Sequence, residues 1–466
     1  MLNDTICALA TPHGMGAIAV VRVSGPQAIP IVASLFQRNG KLLEISEIVS
    51  HKAYHGHLIN KGELLDEVLV TFFKAPHSFT GEDSAEISVH GSVYVQQKLL
   101  QVLVENGCRM AEAGEFTRRA FVNRKFDLAQ AEAIADLISS ESEAAHRVAI
   151  NQLKGGFSKE LQVMRSKLLE ITSLMELELD FSEEDVEFAY RSQLMALLEE
   201  TLAHVSRLKD SFRLGNAIKN GVPVAIVGQT NTGKSTLLNA LLGEDRAIVS
   251  DIAGTTRDTI EETLNINGIL FRFIDTAGLR QTEETIEKIG IERSYRKIAE
   301  ATVVIGMLDA TKDAENLLLA AHEILERIDL EHQQLILCIN KVDTLADQGE
   351  ALLGQLRANL DNDEIQVICL SAKHHFGLND LYNTLKHSQP LSYPDATLVT
   401  NVRHYEALTH ANEALLRVQQ GLEMNIPTDL VSQDLREALH YLGTITGEIT
   451  TDEVLGSIFS RFCIGK

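Results

Sequence analysis

Cysteine, proline and basic charge are scarce in this chain of 466 residues. Five cysteines, an odd number, argue against a disulfide framework and make a reducing cytosol the default setting. Lys and Arg total 42 against 65 Asp and Glu, a formal net charge of −23. That excess argues against a protein that coats nucleic acid by bulk charge. It leaves room for a nucleic-acid substrate gripped by a local basic patch or held by a partner. No apolar run approaches the roughly 18 residues of a membrane helix. The first 20 residues carry no Lys or Arg, so no secretory signal is expected. No internal repeat or low-complexity segment occurs. With 45% apolar and 23% charged residues, the composition excludes collagen, a disordered chain and a small stapled scaffold. At about 150 residues each, about three domains are expected.

From Glu112 to Gly221 there is no proline, so nothing there bars long helices. Leu128, Ala131, Ala135, Ile138, Ala145, Val148 and Ala149 recur mostly at three- and four-residue steps, which predicts an amphipathic helix over Leu128–Leu153. A second series runs through Leu161, Met164, Leu168, Ile171, Met175 and Leu179, with Gly155-Gly156 as the break between them. A third helix is expected over Ser192–Leu214. The stretch Glu176–Glu187, with seven carboxylates and no base, reads as a solvated helix end and turn. Residues 1–120 read as α+β, with strands at Ala17–Val23 and Glu67–Phe73 and a helix at Val93–Glu105. Residues 222–385 alternate apolar strand runs (Val222–Val227, Phe271–Ile274, Thr302–Leu308, Leu335–Ile339, Val367–Leu370) with helical patterns. That alternation predicts a mostly parallel sheet covered on both faces. Helices return at His404–Glu423 and Ser432–Ile445. The expected architecture is an N-terminal α+β domain (1–120) and a helical domain in two parts (121–216 and 387–466). An α/β nucleotide-binding domain (217–386) is inserted between those parts.

The strongest chemical signal is Gly228-Gln-Thr-Asn-Thr-Gly-Lys-Ser235, between the strand VPVAIV and the helical STLLNALLG. It matches the phosphate-loop pattern, in which a small-residue turn aims backbone N–H groups and a helix N-terminus at phosphate oxygens. Asn231, Thr232, Gly233, Lys234, Ser235 and Thr236 are the expected contacts. Lys234 meets the terminal phosphates as a point charge and Ser235 ligates magnesium. Asn340-Lys341-Val342-Asp343 follows the apolar strand QQLILCI. Asp343 suits the ring N–H and exocyclic amine of guanine, a donor pair that adenine lacks. A site built for such donors rejects an analogue without them by roughly 10⁴–10⁵. Ser371-Ala372-Lys373 follows another strand, where a backbone N–H suits the guanine carbonyl. Asp275-Thr276-Ala277-Gly278 ends the strand FRFI. Asp275 suits the magnesium outer shell and Gly278 a γ-phosphate contact, and Thr256 of Thr255-Thr256 is the second candidate magnesium ligand. The plain alternative for each is a turn residue.

The order GQTNTGKS, GTTRD, DTAGL, NKVD, SAK resembles a small GTPase of the translation-factor-like class. Three further stretches narrow it: the opening ATPHGMGAIAVVRVSG, Gly114–Ile138 (GEFTRRAFVNRKFDLAQAEAIADLI), and Phe462–Lys466 (FCIGK). Together they resemble the tRNA-modification GTPases called MnmE or TrmE. The resemblance implies a folate-binding, dimerising N-terminal domain and a homodimeric, cytoplasmic protein without a membrane span. It implies work with a separate FAD- and NADH-using partner on the wobble uridine of certain tRNAs. There a carboxymethylaminomethyl group is added at carbon 5, with a tetrahydrofolate derivative as one-carbon donor.

Leu279 follows DTAG, where Ras-like enzymes carry a Gln that orients water. The resemblance assigns that task to Glu287, acting through a bridging water. It also implies a potassium ion in place of an arginine finger, with Asn231, Ser250, Ile252 and Thr255 as ligands. Ordering of the Ala247–Thr256 loop when two such domains meet would switch catalysis on. Arg257 beside this loop has two readings, a salt-bridge residue or a catalytic charge. The family's folate site maps onto Arg22, Glu86, Lys125 and Lys466. The cluster Arg118, Arg119, Arg124, Lys125 could equally contact RNA phosphate. Cys463 has two readings, a nucleophile toward the uridine or a passive thiol. The other cysteines show no metal-ligand spacing. A GTP-regulated assembly factor without covalent chemistry is the alternative function, and an ATP-using P-loop kinase a weaker third.

Overall fold

The structure, a computed structural model, describes residues 4–180, 187–245, 262–266, 269–274, 301–330, 333–347, 349–360, 365–387, 397–424, 426–460, 462 and 465. The N-terminal part builds one eight-stranded sheet from β1 (Ile6–Leu9), β2 (Ile18–Ser24), β3 (Phe36–Arg38), β4 (Lys41–Leu42), β5 (Lys52–Asn60), β6 (Glu63–Phe73), β7 (Ser84–His90) and β8 (Arg109–Met110). The order is β4-β3-β5-β6-β7-β2-β1-β8. All pairs are antiparallel except β1–β8. Alternation places Ala19, Val21 and Val23 of β2 on one face. There they pack with Val32 of α1 (Ala28–Leu35) and Leu99 and Leu103 of α2 (Val93–Glu105). The opposite face carries the register row Ala8, Arg22, Glu86, Thr71. Beside it, Ile6 and Ala8 pack with Phe79 and with Phe116 of α3 (Glu115–Val122).

The predicted Leu128–Leu153 helix is two, α4 (Leu128–Ser139) and α5 (Glu143–Leu153). Ser142 Oγ accepts from the Ala145 N–H at 3.1 Å, capping the second and so breaking the run. α6 (Gly156–Asp180) follows Gly155, whose φ of +80° makes the expected turn. The predicted Ser192–Leu214 helix is likewise split, into α7 (Glu187–Asp210) and α8 (Phe212–Asn220).

The α/β block has a six-stranded sheet of β9 (Val222–Gly228), β10 (Glu262–Ile266), β11 (Ile269–Phe273), β12 (Val303–Asp309), β13 (Gln334–Asn340) and β14 (Gln366–Cys369). Its order is β10-β11-β9-β12-β13-β14, parallel throughout except for the antiparallel β10–β11 hairpin at the edge. One face is covered by α9 (Lys234–Asp245) and α12 (Leu378–His387) through Leu237, Leu241, Leu381 and Leu385. The other is covered by α10 (Ala314–Leu325) and α11 (Glu350–Asn359) through Leu317, Ala321 and Leu356. Burial on both faces explains why β12 and β13 are unbroken apolar runs. The chain ends in α13 (Val402–Glu423), α14 (Thr428–Thr446) and α15 (Asp452–Phe459).

Two compact units result. One comprises Met1–Ile138, Ile150–Ser206 and Glu406–Lys466, the other Ser139–Ala149 and Arg207–Tyr405. In the first, α14 lies on α6 and α15 on α3, and Leu128 and Ala131 share a cluster with Leu455, Phe459 and Phe462. Helices from both sides of the α/β block, α4 and α6 with α14 and α15, therefore share the first unit, whereas α8 and residues 139–149, expected in the helical domain, belong to the second. In the second, Ala144 and Ala145 pack with Ile218 and Leu398, which ties residues 139–149 to the α/β block. Among the described residues, no helix is long and apolar enough to cross a membrane.

Candidate functional site

The phosphate loop joins the C-terminal end of β9 to the N-terminus of α9. Gly228, Asn231 and Gly233 have φ of +145°, +63° and +98°, the left-handed values that fold the loop into a cradle. Lys234 Nζ donates to the carbonyls of Gly228 at 2.8 Å and Gln229 at 2.7 Å. Burial holds this ammonium below the usual lysine range, and these two partners are neutral carbonyls. Thr232 is buried, and its hydroxyl donates to Gln229 O at 2.9 Å. Ser235 stands in the first turn of α9, and Thr236 is exposed beside it.

Asn340, 3% exposed, ends β13 and links this loop to the rest of the site. Its Nδ2 donates to Thr232 O at 2.8 Å, and its Oδ1 accepts from Ala372 N at 3.0 Å. An added Cβ on Gly233 would clash with that same Nδ2, so glycine is required there. One side chain thus locks the phosphate loop to the Ser371-Ala372-Lys373 turn. Asp343 accepts from Ser371 Oγ at 2.6 Å, a bond that holds its carboxyl below the usual range. Lys373 is exposed. Two residues outside the motifs also stand here. His374 Nε2 lies 3.6 Å from Asp343 Oδ2, and Asp309 Oδ2 accepts from Lys341 Nζ at 2.7 Å. Asp309 has no local signal beyond being a polar residue at a strand end.

In the N-terminal sheet, Arg22 and Glu86 are cross-strand partners, with Arg22 Nε and NH2 donating to Glu86 Oε1 at 3.0 and 2.8 Å. The guanidinium lies 5.0 Å from the Phe79 ring centre and 5.7 Å from that of Phe116. Lys125 Nζ donates to Pro76 O at 3.0 Å, and Asn123 Nδ2 to Thr80 O at 2.8 Å, joining the 74–83 loop to the end of α3. Gly465 is buried with φ +97°, and a Cβ on it would clash with Leu9 O, next to the register partner of Arg22. The arrangement offers cations, an acceptor carboxylate and ring faces together, a chemistry suited to a planar ligand with anionic substituents.

A family model described as the MnmE helical domain matches residues 128–463, and one described as the GTP-binding protein TrmE N-terminus matches residues 5–125. A tRNA modification GTPase MnmE from Bacteroides fragilis is 54% identical over 471 residues, covering 100% of both chains. The chain belongs to the MnmE family of tRNA modification GTPases. The MnmE protein of Bacteroides thetaiotaomicron is 53% identical over 470 residues, again over the whole of both chains. Among solved structures, a single-residue variant of Aquifex aeolicus Era bound to GDP and AlF4− matches 42% of this chain and 67% of its own at 29% identity, with a TM-score of 0.28.

Several residues named in the sequence analysis lie outside the described residues. These are Ser250, Ile252, Thr255, Thr256, Arg257, Asp275, Thr276, Ala277, Gly278, Leu279, Glu287, Cys463 and Lys466. The structure brings Asn231, Thr232, Gly233, Lys234, Asn340, Ser371 and Ala372 into one hydrogen-bonded or contiguous set, with Asp343 on its rim. It corrects the reading of the basic cluster. Arg119 is fully buried and bound to Asp4, Glu82 and Glu115, so it cannot reach RNA. Arg124 and Lys125 are exposed. Among the described residues, no group of His, Cys, Asp and Glu could hold a metal ion.

Proposed function

We propose that this chain hydrolyses GTP to drive modification of the wobble uridine of certain tRNAs. The observation that carries the nucleotide part of the reading is Asn340, whose amide couples a phosphate cradle to a guanine-type base turn, and the tRNA part rests on the family relationship. The phosphate loop binds and orients the triphosphate, and Lys234 exchanges its two carbonyl contacts for phosphate oxygens. Asp343 and the Ala372 turn select the base. Ser235 and Thr256 hold magnesium, which neutralises phosphate charge. Asn231, on the left-handed corner of the loop, contributes to a potassium site with Ser250, Ile252 and Thr255. Thr276, Ala277 and Gly278 line the γ-phosphate beside Asp275, and Glu287 orients the attacking water.

In the N-terminal domain, Arg22, Glu86, Lys125 and Lys466 hold a tetrahydrofolate derivative. The rings of Phe79 and Phe116 flank Arg22, and that polar and aromatic lining supports the assignment. Bound there, the folate supplies the one-carbon unit. The product is a carboxymethylaminomethyl group at carbon 5, made with an FAD-dependent partner protein. The chain works in the cytoplasm as a homodimer whose nucleotide domains pair during hydrolysis.

GTP turnover should therefore be faster in potassium than in sodium at equal ionic strength, and should rise per molecule with protein concentration. Asn231→Ala should abolish the difference between the two salts. Turnover indifferent to both cation and concentration would refute the potassium-dimer part of the proposal.

A further inference from the structure

Asp309 ends β12 in register with Asn340, and the Ala310 N–H donates to Asn340 O at 2.9 Å. It therefore sits beside the base-selecting turn without belonging to any motif. Its side chain is 12% exposed, and both oxygens are engaged. Oδ1 accepts from Thr311 N at 3.0 Å and Thr311 Oγ1 at 2.8 Å, while Oδ2 accepts from Lys341 Nζ at 2.7 Å. Lys341 occupies the left-handed region with φ +68° and stands two residues before Asp343.

Asp343 already faces His374 at 3.6 Å, and Lys341 is the cation nearest to it along the chain. If Lys341 paired there, it would neutralise the acceptor that guanine needs. We propose that Asp309 is a positioning residue for guanine recognition. It holds the Lys341 ammonium away from Asp343, whose Oδ1 already accepts from Ser371 and whose Oδ2 faces His374, so that the remaining acceptor capacity of the carboxylate stays open to the two donors on the edge of the base. This inference rests on reading Asp343 as the guanine acceptor.

Asp309→Asn isolates the effect. The amide oxygen can still accept from Thr311, so the turn is kept. The new NH2 cannot accept from Lys341, so the anchor is lost. With the full chain and GDP as probe, titration calorimetry should give a Kd raised about tenfold, an effect of about 1.4 kcal/mol. The preference for GDP over inosine diphosphate, which lacks the exocyclic amine, should fall, a change that a loosened fold would not produce. In a Lys341→Met background, Asp309→Asn should cost nothing further, because it acts through that lysine.

Wild-type affinity and selectivity in Asp309→Asn would overturn the proposal. So would losses that add in the double variant, or a melting temperature well below that of the parent. Asp343→Ala separates the two claims. If it binds GDP normally, the guanine-site reading itself fails. If it loses binding while Asp309→Asn does not, only the role of Asp309 fails.

Discussion

Replacing Arg119 by alanine should destabilise the N-terminal unit by about 3 kcal/mol, the lower end of the range for breaking a buried ion pair. Arg119 is fully buried in α3, and its guanidinium joins two distant segments, at Asp4 and Glu82, to Glu115 of its own helix. It donates to the Asp4 carbonyl at 2.8 Å, Asp4 Oδ1 at 2.7 Å, Glu82 Oε2 at 3.2 Å and Glu115 Oε1 at 2.9 Å. Without it, Glu82 and the 3%-exposed Glu115 would keep their charges in a dry setting with too few donors. Arg109 still reaches Glu115 at 2.6 Å, which is why the lower figure applies. Against a typical domain stability of about 5–15 kcal/mol, such a loss should be plain as a lower urea midpoint.

The same network carries an acid-side signature. Burial pushes the Glu115 carboxyl up, but hydrogen bonds from Arg109, the Glu112 N–H and Arg119 outweigh it and leave the group below its ordinary value. Asp4 is lowered chiefly by Arg109. Groups with depressed folded values stabilise fully above the ordinary carboxylate range, and that contribution is lost as pH falls through the folded values. Wild-type stability should therefore drop on acidification below that range. In Arg119→Ala the slope should flatten, because part of the lowering has gone. An unchanged midpoint and an unchanged slope would show that the network contributes nothing net.

Asn340→Ala should weaken GDP binding about 100-fold, or about 2.8 kcal/mol. Its amide makes two buried bonds, and truncation orphans the Thr232 carbonyl and the Ala372 N–H at once. Each orphan costs about 1–3 kcal/mol where water cannot replace the partner. The loss should appear on both parts of the nucleotide, since the phosphate loop and the base turn would no longer share a tether. Asn340→Asp should be no milder, because it keeps an acceptor for Ala372 but sets a buried carboxylate oxygen against the Thr232 carbonyl. Affinity within about threefold of wild type in the alanine variant would contradict the coupling.

Much of the nucleotide domain is legible in the sequence because its signals are local. Strands buried on both faces spell themselves as apolar runs, and the phosphate loop needs a fixed spacing of Gly, Lys and Ser. The β10–β11 hairpin is half visible: Phe271–Ile274 marks one strand, whereas the alternating Glu262–Ile266 does not stand out. The helix breaks near Ser142 and Ser211 escape a periodicity reading because a short serine turn leaves the apolar rhythm almost intact. Arg119 reads with an exposed cluster, since its acidic partners stand as far off as residues 4 and 82. Asp309 carries no mark for the same reason, its lysine being 32 positions away. The pairing of Arg22 with Glu86, 64 positions apart, likewise follows from sheet register and not from any local pattern.

The most direct test of the account is nucleoside analysis of bulk tRNA from a strain lacking this chain, complemented with the wild type or with Lys234→Ala. The account predicts that carboxymethylaminomethyl uridine returns with the wild type and stays absent with the variant, which lacks the cation that meets the terminal phosphates. Full restoration by Lys234→Ala, or a deletion strain whose wobble uridines are already normal, would contradict it.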